Sequence, residues 1–401
     1  MSTPVRTSAI SSTLFAHLDF VLTGVVMTLL GPMLPSLAAR WLLNDARTGD
    51  LFIAQFMASM LGMALSGVAV QRLGYRTTLL LGLILMAAGV AGFAPAGWIF
   101  GLACVCIYSL GYGVTTPTCN LLAVEANPLR RAAALNLLNA SWGIGAMGCP
   151  VLFAVAQKAG HAALFLYGAA VVAVVLAILL LSIHFPADVR SESATLVANA
   201  RPVKVKVHFV ALFAGLFFVY VGIETCVGGW VASFAHRIVP ESLSFWTLTP
   251  SFFWGALLAG RLLAPLALQR TNETRVAAGG ILLAAAGIVV LLAANGMPRV
   301  VLGATLAGLG LASVYPISIS LFTQWLGEAT TRTSGIVFSL GNTGGAVLPW
   351  LLGAVSTRWG SLRIGFVVPL IAAALLLVFY LPQAWPSPKI AAAPPGSPEG
   401  A

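Results

Sequence analysis

Apolar runs long enough to cross a bilayer recur almost from one end of the chain to the other, each set off by a short polar break. A helix needs about 20 apolar residues to span the hydrocarbon. On that rule the pattern predicts twelve transmembrane helices, at 14–39, 50–70, 77–95, 98–122, 132–156, 162–184, 208–235, 244–268, 276–294, 299–325, 333–356 and 361–382. The first run is too long for a signal peptide, holds Asp19 inside it and lacks a small-residue cleavage pattern, so it is expected to stay in the mature chain. One polar break is long: residues 185–207 follow the sixth run and divide the chain almost in half. The expected organisation is an N-terminal six-helix bundle at 1–184, a cytoplasmic linker at 185–207, a C-terminal six-helix bundle at 208–382, and a disordered tail at 383–401 rich in Pro, Ala and Gly.

The two halves repeat one another. Shifting the chain on itself by 198 residues lays Leu22-Thr23-Gly24 on Tyr220-Val221-Gly222, Gly62 on Gly260, and Gln71-Arg72 on Gln269-Arg270. A shift of 199 lays Gly111 and Pro117 on Gly310 and Pro316, and Gly145 and Pro150 on Gly344 and Pro349. A nearly constant offset across four helix pairs, with the polar linker at the midpoint, signifies two parallel copies of one six-helix unit. The prolines and glycines at these matched positions are read as kinks and close-packing points that let the halves rock.

Composition narrows the solvent and the partners. Of 401 residues 59% are apolar and 8% charged, against about 25% charged in an ordinary soluble chain, so most of the exterior must face lipid and soluble enzymes are excluded. The formal charge of +10 comes from bases that punctuate the apolar runs and form no patch interleaved with aromatics, which argues against a nucleic-acid partner. With both termini cytoplasmic the inner segments hold 13 Lys and Arg and the outer loops 7, with Arg261 inside a span, and the positive-inside rule favours that orientation. The expected location is a cell membrane, the bacterial inner membrane, with the chain multi-pass and monomeric. The five cysteines, Cys104, Cys106, Cys119, Cys149 and Cys226, all lie in apolar runs without metal-ligand spacing and are read as small buried hydrophobes. No metal and no cofactor is implied.

Parallel six-helix halves joined by a cytoplasmic linker resemble the major facilitator superfamily, and the resemblance covers the chain to about Gln383. The stretch Gly67-Val68-Ala69-Val70-Gln71-Arg72-Leu73-Gly74-Tyr75-Arg76 resembles that superfamily's gating loop, which implies gating roles for Arg72 and Arg76. Gln71 stands where an Asp is usual, which weakens the loop-to-helix ion pair. Tyr220-Val221-Gly222-Ile223-Glu224 with Gly228-Gly229-Trp230, Phe253-Trp254 with Gly260-Arg261-Leu262, and Gly341-Asn342 with Gly344-Gly345 and Leu348-Pro349-Trp350 are similar to the fucose/glucose/galactose permease branch and to related glucose transporters of animals. Asn136-Leu137-Leu138-Asn139 is similar to that branch's fifth helix, where a residue matching Asn139 is expected to contact sugar. Val114 and Thr28 depart from the branch, since a proton-binding Glu and a catalytic Asp are usual at the positions aligned with them.

A charge at the bilayer centre costs at least about 2.5–3.5 kcal/mol on insertion scales, so each intramembrane ionisable residue is a candidate for function. Glu224, well inside the seventh span, is the leading candidate for a proton or cation site, with a structural pair to Arg261 as the plainer alternative; a pair that opens on protonation is also a switch. Asp19 in the first span is the second ion candidate, able to bind a proton or sodium, against a plain pairing with His17 or the interface. Arg261 is read as a gating partner.

Asn136, Asn139 and Gly143 share one face of the fifth span, and Trp142 continues it. Amides supply paired donors and acceptors to hydroxyls without charge, and an indole covers the apolar face of a pyranose; the plainer reading is that Asn side chains join neighbouring helices. Asn120, Asn342, Trp254 and Trp230 are further substrate candidates, with Gln55, Tyr220 and Tyr315 behind them. The resemblance, together with this chemistry, implies a secondary transporter, not an enzyme, taking up a monosaccharide with a proton or another cation by alternating access. Its partners are then a small-molecule substrate, the coupling ion (proton or sodium) and the lipid bilayer. Drug or metabolite efflux by proton antiport is the alternative and calls for a mostly apolar cavity.

Overall fold

A computed structural model describes residues 4–127, 129–183, 207–240 and 245–380. The described chain is helical throughout: α1 (Pro4–Thr28), α2 (Leu30–Trp41), α3 (Asp45–Phe93), α4 (Trp98–Ala126), α5 (Arg131–Lys158), α6 (Ala162–Leu181), α7 (Val207–Ile238), α8 (Phe245–Leu268), α9 (Glu273–Leu292), α10 (Met297–Leu311), α11 (Val314–Leu326), α12 (Thr330–Trp359), α13 (Leu362–Gly365) and α14 (Val367–Phe379). Among the described residues, 11 stretches are long and apolar enough to cross a membrane. Their outer faces are apolar, as on α6, where Leu164, Val171, Val175, Ile178 and Leu181 are exposed. The predicted linker lies outside the described residues except for Val207, which opens α7; the predicted tail lies outside them entirely.

Three predicted spans are broken, each near a proline. Pro32, Pro316 and Pro369 cannot donate to the carbonyl four residues back, and their rings crowd it; the breaks fall at Leu29, at Ala312–Ser313 and at Phe366. Pro117, Pro150 and Pro349 lie within unbroken helices. The second and third predicted spans join as α3, whose 49 residues hold one non-helical position, Gly74, at φ 79° and ψ 169°. That φ favours glycine; a Cβ there would meet nothing within 4 Å, so the constraint is on the backbone alone.

The repeat reappears contact by contact. A Cβ built on Gly145 would lie 2.0 Å from the Val21 carbonyl oxygen, and one on Gly344 would lie 1.8 Å from that of Phe218. Gly111 meets the carbonyl of Gly82 and the amide of Met86, and Gly310 meets those of Gly280 and Ala284. Gly89 packs on Cys104 and Tyr108, and Gly287 on Gly303 and Ala307. Every residue in the last two sets matches its counterpart at an offset of 198 or 199. Lipid offers no hydrophobic drive between helices, so association relies on backbones approaching closely at small residues. Among the glycines that carried the repeat in the sequence, Gly24, Gly62, Gly111, Gly145, Gly310 and Gly344 are points where that approach occurs, while Gly222 meets the Leu348 side chain.

Residues 4–183 and 207–380 meet along a seam closed toward the α2–α3 turn. Gly31 packs on the Gly228 carbonyl, Gly49 on Trp350, Gly345 on Phe56 and Gly353 on the Asp45 carbonyl. On the other side Thr247 donates to Gln157 at 2.9 Å and Ser251 to the Met147 carbonyl at 2.8 Å, while Gly143 meets Leu258. At the rim Arg237 and Ser356 both donate to the Asp45 carboxylate, and the Ala46 amide donates to Thr357 Oγ1 at 2.8 Å. Further along α3, α5, α8 and α12, toward the end that bears the N-terminus of α1, Leu65, Leu137, Leu262 and Leu340 are exposed.

The Asp45 rim contact joins residues of both halves and is expected to hold that end shut. Arg237 is 46% exposed, so the pair contributes about 1 kcal/mol or less. A cysteine placed at buried Ser233, beside Arg237, should react faster with a membrane-impermeant thiol reagent in an Asp45→Asn background than with Asp45 intact. Equal rates would show that the rim contact does not hold the end closed.

Candidate functional site

Between the halves lies a cavity of about 1040 Å³ including its mouth, walled by α1, α2, α3, α4, α5, α7, α8, α11 and α12. Glu224 reaches it from α7. Its Oε1 accepts from the Tyr220 hydroxyl one turn back at 3.1 Å and from Arg261 Nη2 of α8 at 3.4 Å. A charge-assisted bond is ordinarily about 2.7–2.9 Å, so the ion pair is loose, and Arg261 Nε is buried without a partner. Tyr315 closes this corner, its ring 5.4 Å from that of Tyr220. The charges balance within the corner and leave the rest of the cavity uncharged.

The facing walls are uncharged, with polar groups set among apolar side chains such as Phe20, Phe52 and Phe56. Gln55 donates to the Met27 carbonyl at 2.8 Å, Asn139 to Leu135 at 2.8 Å, and Asn342 to Met63 Sδ at 3.4 Å. Each amide keeps its oxygen free of these bonds, and the Met63 thioether is a weak acceptor that a ligand oxygen can displace. Trp142 of α5 and Trp254 of α8 meet edge to face across the seam, ring centroids 5.5 Å apart. Both indole N–H groups are buried without an acceptor. Thr116 and Thr225 donate to their own helices at 2.9 and 2.8 Å, which leaves their lone pairs available to a ligand.

Of the residues singled out from the sequence, the structure brings Asn139, Trp142, Trp254, Asn342, Glu224 and Arg261 together on this wall, with Gln55, Tyr220 beside Glu224, and Tyr315. The others stand elsewhere. Trp230 is fully buried and its indole donates to the Pro349 carbonyl at 3.1 Å, a packing role. Asn120 Oδ1 is buried without a partner and off the wall. Asn136, one turn from Asn139, is exposed and off the wall. Asp19 is buried against Cys119.

The loop that resembles the gating motif is pinned by other groups. Arg76 donates to the Ile183 carbonyl at the end of α6, Tyr75 donates to Glu125 Oε1 of α4 at 2.7 Å, and Arg72 is exposed. Four cysteines are buried, but Cys106 is exposed on α4, against the expectation that all five are interior; two positions from buried Cys104, it falls on the outward face. All five are free thiols. Sequence reasoning missed Phe52, Ser59, Tyr112, Thr116 and Thr225 on the cavity wall. Gln55, Ser59 and Met63 recur every four residues, a one-face helical spacing that could have placed the first two together.

The profile of the Major Facilitator Superfamily matches residues 20–247, more than half of the chain, and the chain belongs to that superfamily. It is a multi-pass secondary transporter and not an enzyme. Among the described residues no group of three or more His, Cys, Asp or Glu could hold a metal ion. Within the superfamily it is similar to the sugar-transporter branch: it is 26% identical over 385 residues to the glucose/galactose transporter of Brucella abortus biovar 1, covering 90% of this chain and 91% of that one. A D-xylose-proton symporter shares the fold at a TM-score of 0.76 and 15% identity, over 95% of this chain and 98% of that one. The nucleoside transporter NupG does so at 0.70 and 17%, over 93% and 97%.

Proposed function

We propose that this chain takes up a monosaccharide, or a solute of similar hydroxyl content, together with a proton. Its twelve crossings, with α3 counted twice about Gly74, form two six-helix bundles that alternate around the central cavity, both termini facing the cytoplasm of a bacterial cell. At 1.5 Å per residue α3 is about 73 Å long, more than twice the roughly 30 Å of hydrocarbon, and two crossings account for it.

The observation that carries the reading is the pairing, in one cavity, of a loose Glu224–Arg261 ion pair with a neutral wall of amides, hydroxyls and indoles. Hydroxyls of a sugar present donors and acceptors together. The free amide oxygens of Asn139 and Gln55 accept, the two indole N–H groups donate, and the ring faces cover apolar C–H surface. Glu224 is the coupling group: gaining a proton would release Arg261 and Tyr220 within the substrate's own cavity. Efflux of apolar drugs calls for a mostly apolar cavity; Phe20, Met27, Phe52 and Phe56 do give this wall apolar surface, but the amides, hydroxyls and Glu224–Arg261 pair set among them favour a hydroxylated solute.

The test is uptake of a panel of labelled hexoses by the wild-type protein in proteoliposomes under an imposed proton or sodium gradient. Accumulation of at least one hexose, driven by the proton gradient and absent without it, is the expected outcome. If no hexose moves, the sugar reading fails and an efflux screen follows; accumulation on a sodium gradient alone would overturn the proton assignment.

A further inference from the structure

Asp19 stands apart from the cavity just described. It is fully buried on α1; its Oδ2 accepts from Cys119 Sγ of α4 at 3.3 Å, and its Oδ1 is buried with no partner. Neither of the two ion pairs among the described residues includes it. His17, two residues earlier, bonds through Nδ1 to Ser141 Oγ of α5 at 2.8 Å, and Thr23 donates to the Phe20 carbonyl at 2.9 Å. An ionised carboxylate out of water needs a cation or several strong donors, and a single thiol supplies neither. A bound metal cation would need several oxygens, and the one uncommitted oxygen here suits a proton instead.

The pair has an approach. A cavity of about 550 Å³ including its mouth is walled by Ala16 and His17 of α1, Ala123 of α4, Asn127 just past the end of α4, and Arg130 and Leu138 beside them. Ala16 lies three residues before Asp19 and Ala123 four residues after Cys119. On helices, those spacings put this cavity about one turn away from the pair, on the faces where the pair sits. It lies on the side of the α1 N-terminus, the end opposite the α2–α3 turn. On the pair's other side, Phe20 lines the central cavity. One turn further Gly24 abuts α5, where a Cβ would come within 2.1 Å of the Trp142 carbonyl oxygen.

We propose that Asp19, with Cys119 as its hydrogen-bond partner, is a second proton-binding site, loaded and emptied through this inlet and separate from Glu224. The titratable and charged groups around it are few: Cys119 on α4, His17 on its own helix and Arg130 at the inlet, while α6 carries no charged side chain along its length. The site requires a transporter that cycles, but it does not depend on the sugar reading.

Infrared spectroscopy of the full-length protein at neutral pH reads the site directly. The expected result is a protonated-carboxyl band that is lost in Asp19→Asn, shifted in Cys119→Ser because a hydroxyl is a stronger donor than a thiol, and retained in Glu224→Gln. Filling the inlet with Ala123→Phe is expected to slow deuterium exchange of that band several-fold. A wild-type spectrum unchanged by Asp19→Asn would overturn the site, and unchanged exchange in Ala123→Phe would overturn the inlet. If Asp19→Asn fails to fold, Cys119→Ser decides, a shifted band supporting the site and an unshifted one overturning it. A failure of hexose uptake leaves this readout untouched, so the two proposals fail separately.

Discussion

Proteoliposomes carrying Glu224→Gln are expected to lose gradient-driven accumulation of the transported hexose, at least about tenfold below wild type, a difference of about 1.4 kcal/mol, while still exchanging labelled for unlabelled substrate across the membrane. Glutamine keeps the size of the side chain and a carbonyl that Tyr220 and Arg261 can still donate to, so the cavity keeps its shape. What it cannot do is gain and lose a proton. A carrier fixed in the neutral form can still move loaded between its two states, which is all that exchange requires, but it has no means of returning empty at the expense of the proton gradient. Accumulation at the wild-type level by Glu224→Gln would place coupling elsewhere. Loss of exchange together with accumulation would make Glu224 a structural partner of Arg261 instead.

The second large effect concerns stability. Gly145→Ala and Gly344→Ala are each expected to lower the thermal unfolding midpoint in detergent. A Cβ at these positions would lie 2.0 and 1.8 Å from the carbonyl oxygens of Val21 and Phe218, which are backbone atoms that cannot turn aside. The helices would have to separate, at a cost of about 1–3 kcal/mol or more on the scale of overpacked cores. Gly148→Ala, on the same helix as Gly145, is the control. Nothing lies within 4 Å of its would-be Cβ, and there the substitution should stabilise by roughly 0.4–1 kcal/mol through the unfolded chain. Equal midpoints for Gly145→Ala and Gly148→Ala would show that the close approach at Gly145 is not what holds α1 to α5.

How much of this was legible beforehand follows from what lipid demands of a sequence. Span positions could be read because a helix in hydrocarbon must be apolar over its whole length, and the repeat because its glycines sit where backbones touch. The break in α3 at Gly74 was covered by the predicted polar break between two runs, but the breaks near Pro32 and Pro369 were not anticipated, since prolines elsewhere, as at Pro150, sit inside unbroken helices. At the site, Asn139 and Trp142 were placed on one face by spacing alone. Asn136 was drawn in by the same periodicity, which says which residues share a face and nothing of how far along the helix the cavity reaches. Trp230 looked like a ligand contact until its indole was seen to be taken by a carbonyl 119 residues away. The rim contact of Asp45 with Arg237 and Ser356 spans 192 and 311 positions, and no local pattern announces a partner at such separations.

The repeat bears on how a ligand is oriented. At an offset of 198 or 199, Met27 corresponds to Thr225, Phe56 to Trp254, Met63 to Arg261 and Thr116 to Tyr315, and all eight residues line the central cavity. The chamber is thus two-fold in outline and one-sided in chemistry: where one copy offers a thioether, a threonine or a plain ring, the other offers a guanidinium, a phenol or an indole. A solute turned end for end would meet a frame of the same shape with its polar groups on the wrong side. Duplication supplied a symmetric vessel, and divergence within it gave the vessel a single handedness.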